Sequence, residues 1–228
     1  MTAPTASIRC LVFDFDGVLV DSSAVKRSAY FDALGPIGAP ALLVEQVLDD
    51  HRLGDRYVVI REVLRRSASG TAHGDAVERL VAECAGRYND ICERFTATCR
   101  EIDGASGVLE RLSARYALYV NSATPEAPLR RVVARRGWTG YFRDVLGRPR
   151  TKSENLREIM AREALQPAEV VMIGDGEADL GAAVACGCGF IGVRSDQLEG
   201  RDVLLVDTLT ALEPALETLR TRGVDARG

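Results

Sequence analysis

The order of apolar runs along the chain constrains its fold more than any other feature of the sequence. Runs rich in valine, isoleucine and leucine recur at 8–15, 116–122, 144–147, 170–175, 189–193 and 202–207. Segments with helical periodicity, such as 125–137 and 153–165, separate most of them. Strands that are apolar throughout and alternate with helices are typical of a parallel sheet covered on both faces. We therefore predict an α/β fold with a Rossmann-like parallel sheet core and helices on both faces.

One long segment, from about residue 21 to 103, does not follow this alternation. It has no convincing strand and several helical patterns, of which 75–95 is the clearest because its apolar residues fall at spacings of three and four. We expect an all-helical domain at 21–103, inserted after the first strand. The core domain would then consist of 1–20 and 104–228.

Composition and charge exclude several functional classes. The 228 residues carry a formal net charge of −4, which supports neither a nucleic-acid nor a membrane-surface partner. No apolar stretch approaches the roughly 20 residues of a membrane-spanning helix, and the first residues lack the pattern of a signal peptide. Six cysteines and two histidines offer no zinc spacing. We expect a cytoplasmic protein with reduced thiols, and the sequence leaves open whether it is a monomer or a homodimer.

Acidic and hydroxyl side chains gather where the predicted strands end. Asp14 and Asp16 end the first strand, residues 121–124 (NSAT) end the second, Lys152 follows the third, and residues 174–179 (GDGEAD) follow the fourth. In an open parallel sheet the carboxyl ends of the strands meet at one edge, and ligands bind there. We therefore expect these side chains to form one site.

The carboxylates of this group need a cation. Asp14 and Asp16 project on the same side of their strand because they are two residues apart, and Asp175 converges on them from another strand end. At about 4 Å two such charges repel by roughly 4 kcal/mol at an effective dielectric constant near 20. Oxygen ligands favour Mg²⁺, which commonly binds one or two carboxylates together with substrate phosphate oxygens.

A lysine and two hydroxyls complete a site for phosphate. Lys152 is one of only two lysines among 29 basic residues, and it follows Thr151, which has capping-box spacing to Glu154. This predicts Lys152 at a helix N-terminus, which suits anions. Ser122 and Thr124 precede Pro125, which we expect to be the first residue of a helix. A cation, a divalent ion and hydroxyls together indicate phosphoryl transfer.

These motifs resemble the haloacid dehalogenase (HAD) superfamily, and within it the phosphoglycolate phosphatase and β-phosphoglucomutase-like group. The resemblance covers nearly the whole chain, since the helical insertion matches the helical cap of the family. Its four motifs are the run from Asp14 to Val18, Ser122, Lys152, and Gly174-Asp175 followed by Asp179.

The resemblance implies a role for each acid. Asp14 would be the nucleophile that forms an aspartyl-phosphate, and Asp16 would be the general acid and base. Mg²⁺ would be held by Asp14, the backbone carbonyl of Asp16, and Asp175. Asp179 would support this metal shell, and Glu177 is an alternative to it.

The resemblance also implies the groups that bind phosphate. Ser122 and the backbone amide of Ala123 would hold phosphoryl oxygens, and Lys152 would pair with both Asp14 and the phosphoryl group. Motif two of the family often continues with asparagine, whereas Asn121 precedes Ser122 here, so a shift of one residue is an alternative.

The third motif departs from the family at its lysine. The family often follows this lysine with Pro-x-Pro, whereas Lys152 is followed by Ser153-Glu154-Asn155. Arg148 or Arg150 could supply the cation instead, although we prefer Lys152. In the cap, the polar residues that could meet the leaving group are Lys26, His51 and Arg56.

Three functions remain open from the sequence. The first is a Mg²⁺-dependent phosphatase that hydrolyses a small phosphorylated metabolite, either a sugar phosphate or a phosphoglycolate-like acid, through an aspartyl-phosphate. The second is a phosphomutase that acts on a sugar phosphate with the same chemistry. The third is a non-enzymatic phospho-receiver or metal-binding module, which fits less well because receivers are about half this length and carry their acceptor later in the chain. We prefer the phosphatase.

Overall fold

The computed structural model describes residues 7–51, 55–67 and 75–225. The chain divides into two compact units, which are Met1–Asp21 with Arg100–Gly228, and Ser22–Cys99. The first division falls one residue after the boundary predicted at 20, and the second falls four residues before the one predicted at 104. Within the first unit, the segments that lead into and out of the second run side by side. Val20 forms an antiparallel bridge with Glu101, and the Asp21 amide donates to the Arg100 carbonyl at 2.9 Å.

The first unit contains a six-stranded parallel sheet with the order β3-β2-β1-β4-β5-β6. The strands are β1 Cys10–Phe13, β2 Ala117–Pro125, β3 Asp144–Arg148, β4 Val170–Gly174, β5 Gly189–Val193 and β6 Leu205–Val206. In the register, Phe13 lies opposite Val120 on one side and Ile173 on the other. Asp14, Asn121 and Gly174 therefore follow at the same edge of the sheet.

The second unit is helical. In its described residues 22–51, 55–67 and 75–99 it has helices and turns but no strand. The helices are α1 Ser23–Leu34, α2 Ala41–His51, α3 Arg56–Ser67 and α4 Asp75–Thr96. The α4 pattern places Val81, Cys84 and Tyr88 in the core of this unit, where the Tyr88 ring lies 4.4 Å from that of Tyr30.

Helices cover both faces of the sheet in the first unit. They are α5 Ala105–Ser113, α6 Glu126–Arg135, α7 Lys152–Glu163, α8 Glu177–Cys186 and α9 Leu212–Asp225. Leu156 and Ile159 of α7 pack with Cys10 and Val12, on the face that α8 also covers. Phe13 points to the opposite face because side chains alternate along a strand, and α5, α6 and α9 cover that face. Burial of each such apolar side chain contributes roughly 1.5–3 kcal/mol.

The predicted fold class is confirmed, with differences at the ends of elements. The first strand was predicted over 8–15, but its paired residues are Cys10–Phe13. Pro125 was predicted as the first residue of a helix, and this was wrong, since α6 begins at Glu126. Pro125 is still paired with Arg148 of β3, and this pairing keeps its backbone extended. No membrane-spanning helix is found: over the described residues every helix is too short or too polar to cross a bilayer.

Candidate active site

Asp14 is fixed at the centre of the sheet edge. Its backbone amide continues the ladder by donating to the Ile173 carbonyl at 2.8 Å, and its carboxylate Oδ1 accepts the Phe15 amide at 2.7 Å. The side chain is buried. The remaining carboxylate oxygen, Oδ2, is the one that faces the charged groups of neighbouring strands.

Lys152 reaches Asp14 from the first residue of α7. The predicted capping box is present: the Thr151 hydroxyl accepts the Glu154 amide at 3.2 Å, and the Glu154 carboxylate accepts the Thr151 amide at 2.7 Å. Lys152 Nζ lies 2.9 Å from Asp14 Oδ2 and 2.6 Å from Asp179 Oδ1. Burial alone would lower the pKa of Lys152, but the charges of Asp14 and Asp179 outweigh it and raise that pKa. The ammonium therefore stays charged.

Three carboxylates converge beside this ammonium. Asp14, Asp175 and Asp179 each offer an oxygen, and these oxygens lie within 4.8 Å of one another. Two glycines allow the approach. Gly17 has a φ of +80°, and a Cβ there would lie 2.0 Å from Asp175 Oδ2, while a Cβ on Gly174 would lie 2.2 Å from Asp179 Cβ. Neither position has room for a side chain.

The electrostatics of this acidic cluster (Asp14, Asp175 and Asp179) call for a cation. Burial, and then the charge of Asp14, raise the pKa of Asp175 to about 7, although Lys152 opposes this shift. The same two causes raise the pKa of Asp179 to about 7. One ammonium therefore does not balance three carboxylates, and the cluster fits a divalent metal ion bound through hard oxygen ligands.

Asp16 has a different environment. It is only partly buried, and its Oδ2 accepts the Thr124 hydroxyl at 3.1 Å and the Ser122 hydroxyl at 3.5 Å. The Thr124 amide in turn donates to Ser122 Oγ at 3.1 Å. Ala123, between them, is exposed. The carboxylate of Asp16 is thus held by hydroxyls of β2.

The structure shows where the residues of each open alternative lie. Lys152 contacts Asp14, whereas Arg148 and Arg150 are exposed. Asp179 belongs to the acidic cluster, whereas Glu177 is exposed and pairs with Arg201. The structure therefore brings together the preferred lysine and the preferred acid.

The residues predicted to meet the substrate lie in the helical unit. Lys26 is in α1 and is partly buried. The Arg56 guanidinium donates to the side-chain oxygen of Asn89 and lies 5.5 Å from the centre of the Tyr88 ring. His51 is the last residue of α2, and its side chain lies outside the described part of the structure. Their predicted role stays a prediction.

Sequence reasoning missed two residues that support the site. The Ser195 hydroxyl donates to the Asp175 carbonyl, and Ser195 could have been found because it follows the fifth strand at the same sheet edge. Asn155 is fully buried in α7 and donates to Asn121 Oδ1 at 2.9 Å. Its signals in the sequence were a polar residue beside the apolar positions of a helix and a place in the stretch that departs from the Pro-x-Pro of the family.

Comparison with known proteins identifies the family. A model of the haloacid dehalogenase-like hydrolases matches residues 8–187. A phosphoglycolate phosphatase from Neisseria meningitidis is 28% identical over 201 residues, which cover 85% of this chain and 83% of the relative. The tyrosine-protein kinase PtkA of Mycobacterium tuberculosis is 28% identical over 229 residues, which cover 96% of this chain and 75% of the relative.

A solved structure extends the match to the fold. The HAD-hydrolase YfnB from Bacillus subtilis, bound to magnesium, superposes with a TM-score of 0.69 at 16% identity, over 92% of this chain and 99% of that one. The chain belongs to the haloacid dehalogenase-like hydrolase family. The predicted resemblance is confirmed, and so is the prediction of a phosphatase, an enzyme of the phosphoric monoester hydrolase class.

The close approach of Gly17 to Asp175 can be tested by Gly17→Ala. Gly137→Ala is the matched control, because Gly137 also has a positive φ, of +73°, but a Cβ there meets nothing within 4 Å. Both variants should lose roughly 1–2 kcal/mol through the backbone conformation. Gly17→Ala should lose about 1–3 kcal/mol more through overpacking against Asp175. Urea denaturation measures both, and equal losses would contradict the close approach.

The raised pKa of Asp175 predicts a pH-dependent stability. An acid whose pKa is about 7 when folded, against an ordinary value of 3.8, holds its proton more tightly in the folded state. The free energy of unfolding therefore falls as pH rises from about 4 to about 7. Asp175→Asn removes this loss, so its stability relative to the wild type should increase over that range by at least about 1 kcal/mol.

The measurement is thermal or urea unfolding in the presence of a metal chelator at several pH values. Glu177→Gln is the control, because it removes an exposed carboxylate that lies outside the acidic cluster. If both variants followed the same pH trend, the raised pKa assigned to Asp175 would be wrong.

Proposed function

We propose that this phosphatase hydrolyses a small phosphorylated metabolite, depends on Mg²⁺, and forms an aspartyl-phosphate on Asp14. The observation that carries the proposal is the contact of 2.9 Å between Lys152 Nζ and Asp14 Oδ2 beside two further carboxylates. A carboxylate nucleophile held against a fixed cation is suited to attack on a phosphoryl group, whose charge must be neutralised during transfer.

The nucleophile is oriented before the substrate arrives. The Phe15 amide holds Oδ1 of Asp14, and the Lys152 ammonium holds Oδ2. In the first step an oxygen of Asp14 would bond to phosphorus, and the bond from phosphorus to the ester oxygen would break. Lys152 would lie close enough to the nucleophile to offset the negative charge of the phosphoryl oxygens.

The proposed Mg²⁺ site uses the acidic cluster. Asp14, the backbone carbonyl of Asp16, and Asp175 would hold the ion, with Asp179 supporting them. The raised pKa values of Asp175 and Asp179 support a cation here, since burial, and then repulsion by the charge of Asp14, disfavour both carboxylate forms. When bound, the ion would supply positive charge that offsets this repulsion and the charge of the phosphoryl group.

Asp16 would move the protons. As a carboxylic acid it would give its proton to the leaving ester oxygen. As the resulting carboxylate it would take a proton from the water molecule whose oxygen attacks phosphorus, and the bond to Asp14 would break. The Thr124 hydroxyl, at 3.1 Å from Asp16 Oδ2, supports this role because it holds the carboxylate at the end of β2, beside the proposed phosphate-binding residues.

The remaining proposed contacts concern binding. Ser122 and the Ala123 amide would hold phosphoryl oxygens at the end of β2. Lys26, His51 and Arg56 remain the proposed residues for the leaving group. The name of the Neisseria relative supports phosphoglycolate or a similar small phosphorylated acid as the first substrate to test.

Phosphate release from a panel of phosphoglycolate and sugar phosphates tests the reaction. Wild-type protein should release phosphate with Mg²⁺ and not in a chelator. Asp14→Asn should lose at least roughly a thousandfold in kcat, because no nucleophile remains. Asp16→Asn should also lose turnover, but should trap phosphate on Asp14. Full activity of Asp14→Asn would reject the mechanism.

The products separate the alternatives. Accumulation of an isomerised sugar phosphate with little free phosphate would favour a phosphomutase. Stable phosphorylation of Asp14 for minutes without release would favour a receiver. Transfer to tyrosine without release of phosphate would point instead to the activity named for PtkA.

Metal binding is tested without turnover. Titration calorimetry with Mg²⁺ should show affinity lower by roughly 10- to 100-fold in Asp175→Asn. Glu177→Gln should bind like the wild type, because Glu177 is exposed and pairs with Arg201. Unchanged affinity in Asp175→Asn would remove Asp175 from the metal site.

A further inference from the structure

Two buried amide side chains link β2 to the first turn of α7. Asn121 and Asn155 are both fully buried. Asn121 Nδ2 donates to the backbone carbonyl of Lys152 at 2.9 Å, and Asn155 Nδ2 donates to Asn121 Oδ1 at 2.9 Å. The bonded carbonyl thus belongs to the residue whose ammonium lies between Asp14 and Asp179.

This link does what the capping box does not. The hydrogen bonds between Thr151 and Glu154 cap the N-terminus of the helix and join residues of a single turn. They do not fix where that turn lies relative to the sheet. The bond from Asn121 does, because Asn121 lies on β2, next to the strand that carries Asp14. The Lys152 side chain has several rotatable bonds. Its ammonium can therefore be held at a defined position only if the backbone of Lys152 is also held in place.

Burying two amide side chains costs more free energy than a purely structural link would require. A buried polar group needs hydrogen-bond partners to offset its lost hydration. Asn155 Oδ1 is buried and has no hydrogen-bond partner among the described residues. Asn155 also lies beside Leu156 in a helix that otherwise buries apolar residues. A leucine would fill such a position without that cost.

We propose that Asn121 and Asn155 are positioning residues that place the Lys152 ammonium between Asp14 and Asp179. Asn121 holds the Lys152 carbonyl, and Asn155 holds the amide of Asn121 in the orientation that donates. The catalytic consequence rests on the proposed function, since it assumes that Lys152 acts on the phosphoryl group. The placement of the ammonium does not.

The same strand and helix supply a matched control. Tyr119, two residues before Asn121 on β2, donates its hydroxyl to Glu163 Oε1 at 2.5 Å. Glu163 is the last residue of α7. Tyr119→Phe therefore removes a side-chain bond between β2 and α7 at the end of the helix that carries no lysine.

The scarcity of lysine makes the placement directly measurable. The chain has two lysines, Lys26 and Lys152, so protein labelled with ¹³C-lysine gives two sets of side-chain NMR signals. The Lys152→Arg variant identifies the Lys152 set by its loss. In the wild type the Lys152 methylene signals next to Nζ should be displaced by the carboxylates at 2.9 and 2.6 Å. Asn121→Ala should move them toward the Lys26 signals, and Tyr119→Phe should leave them in place.

Activity gives the second readout. Asn121→Ala should lower kcat roughly 10- to 100-fold, as expected for a catalytic group displaced by about 1 Å. Asn155→Leu, which preserves volume and suits a helix, should shift the Lys152 signals in the same direction and lower kcat less. It also serves as the test if Asn121→Ala does not fold. Tyr119→Phe should keep wild-type kcat.

The outcomes separate this proposal from the proposed function. Lys152 signals that stay at the wild-type position in folded Asn121→Ala or Asn155→Leu would overturn the positioning role. Equal shifts in Tyr119→Phe would overturn it too, because any link between β2 and α7 would then suffice. If the signals move as expected but the wild type releases no phosphate from any ester, the positioning role stands and the proposed function fails.

Discussion

The ion pairs of Lys152 with Asp14 and Asp179 are the interaction on which the rest of the site depends. Removing charges from water costs several kcal/mol per ion, and their attraction offsets this only when the geometry is good. Much of the local structure serves that geometry: a capping box that fixes the helix end, glycines that admit the acids, and a hydrogen-bonded ladder that holds Asp14. The pairs leave negative charge in excess, because three carboxylates face one ammonium. An additional cation would offset that excess, as in the proposed Mg²⁺ site.

Much of this arrangement was predictable because its signals are local. Alternating apolar runs and helical segments fixed the class of fold, and residues at the ends of parallel strands meet at one edge. That rule predicts a shared site for four residues, which are Asp14, Asp16, Lys152 and Asp175. The capping box could be read from Thr151 and Glu154 alone. Helix and strand ends were less predictable, since Pro125 is held extended by its pairing with Arg148 of β3, a contact between residues far apart in the sequence.

The contacts that were not predictable join residues far apart in the sequence. Asp179 was expected to support a metal ion, but it also pairs with Lys152, 27 positions away. Asn121 and Asn155 are 34 positions apart, and each marks a departure from the family pattern: an asparagine before Ser122 rather than after it, and a polar residue where Pro-x-Pro is usual. Taken singly, each departure weakened a motif assignment. In the structure the two residues that depart from the family pattern, Asn121 and Asn155, are hydrogen-bonded to each other. The two departures therefore belong to one local interaction.

The paired entry and exit of the inserted segment has a consequence for how such an enzyme can change. Asp21 and Arg100 are hydrogen-bonded to each other, so residues 22–99 form a loop whose two ends are already closed by the first unit. The entropy of closing a loop grows only with the logarithm of its length. Helices between these two points can therefore be lengthened, shortened or exchanged at little cost to the sheet edge that carries Asp14. If the proposed leaving-group residues Lys26, His51 and Arg56 set substrate preference, that preference could change separately from the acidic cluster.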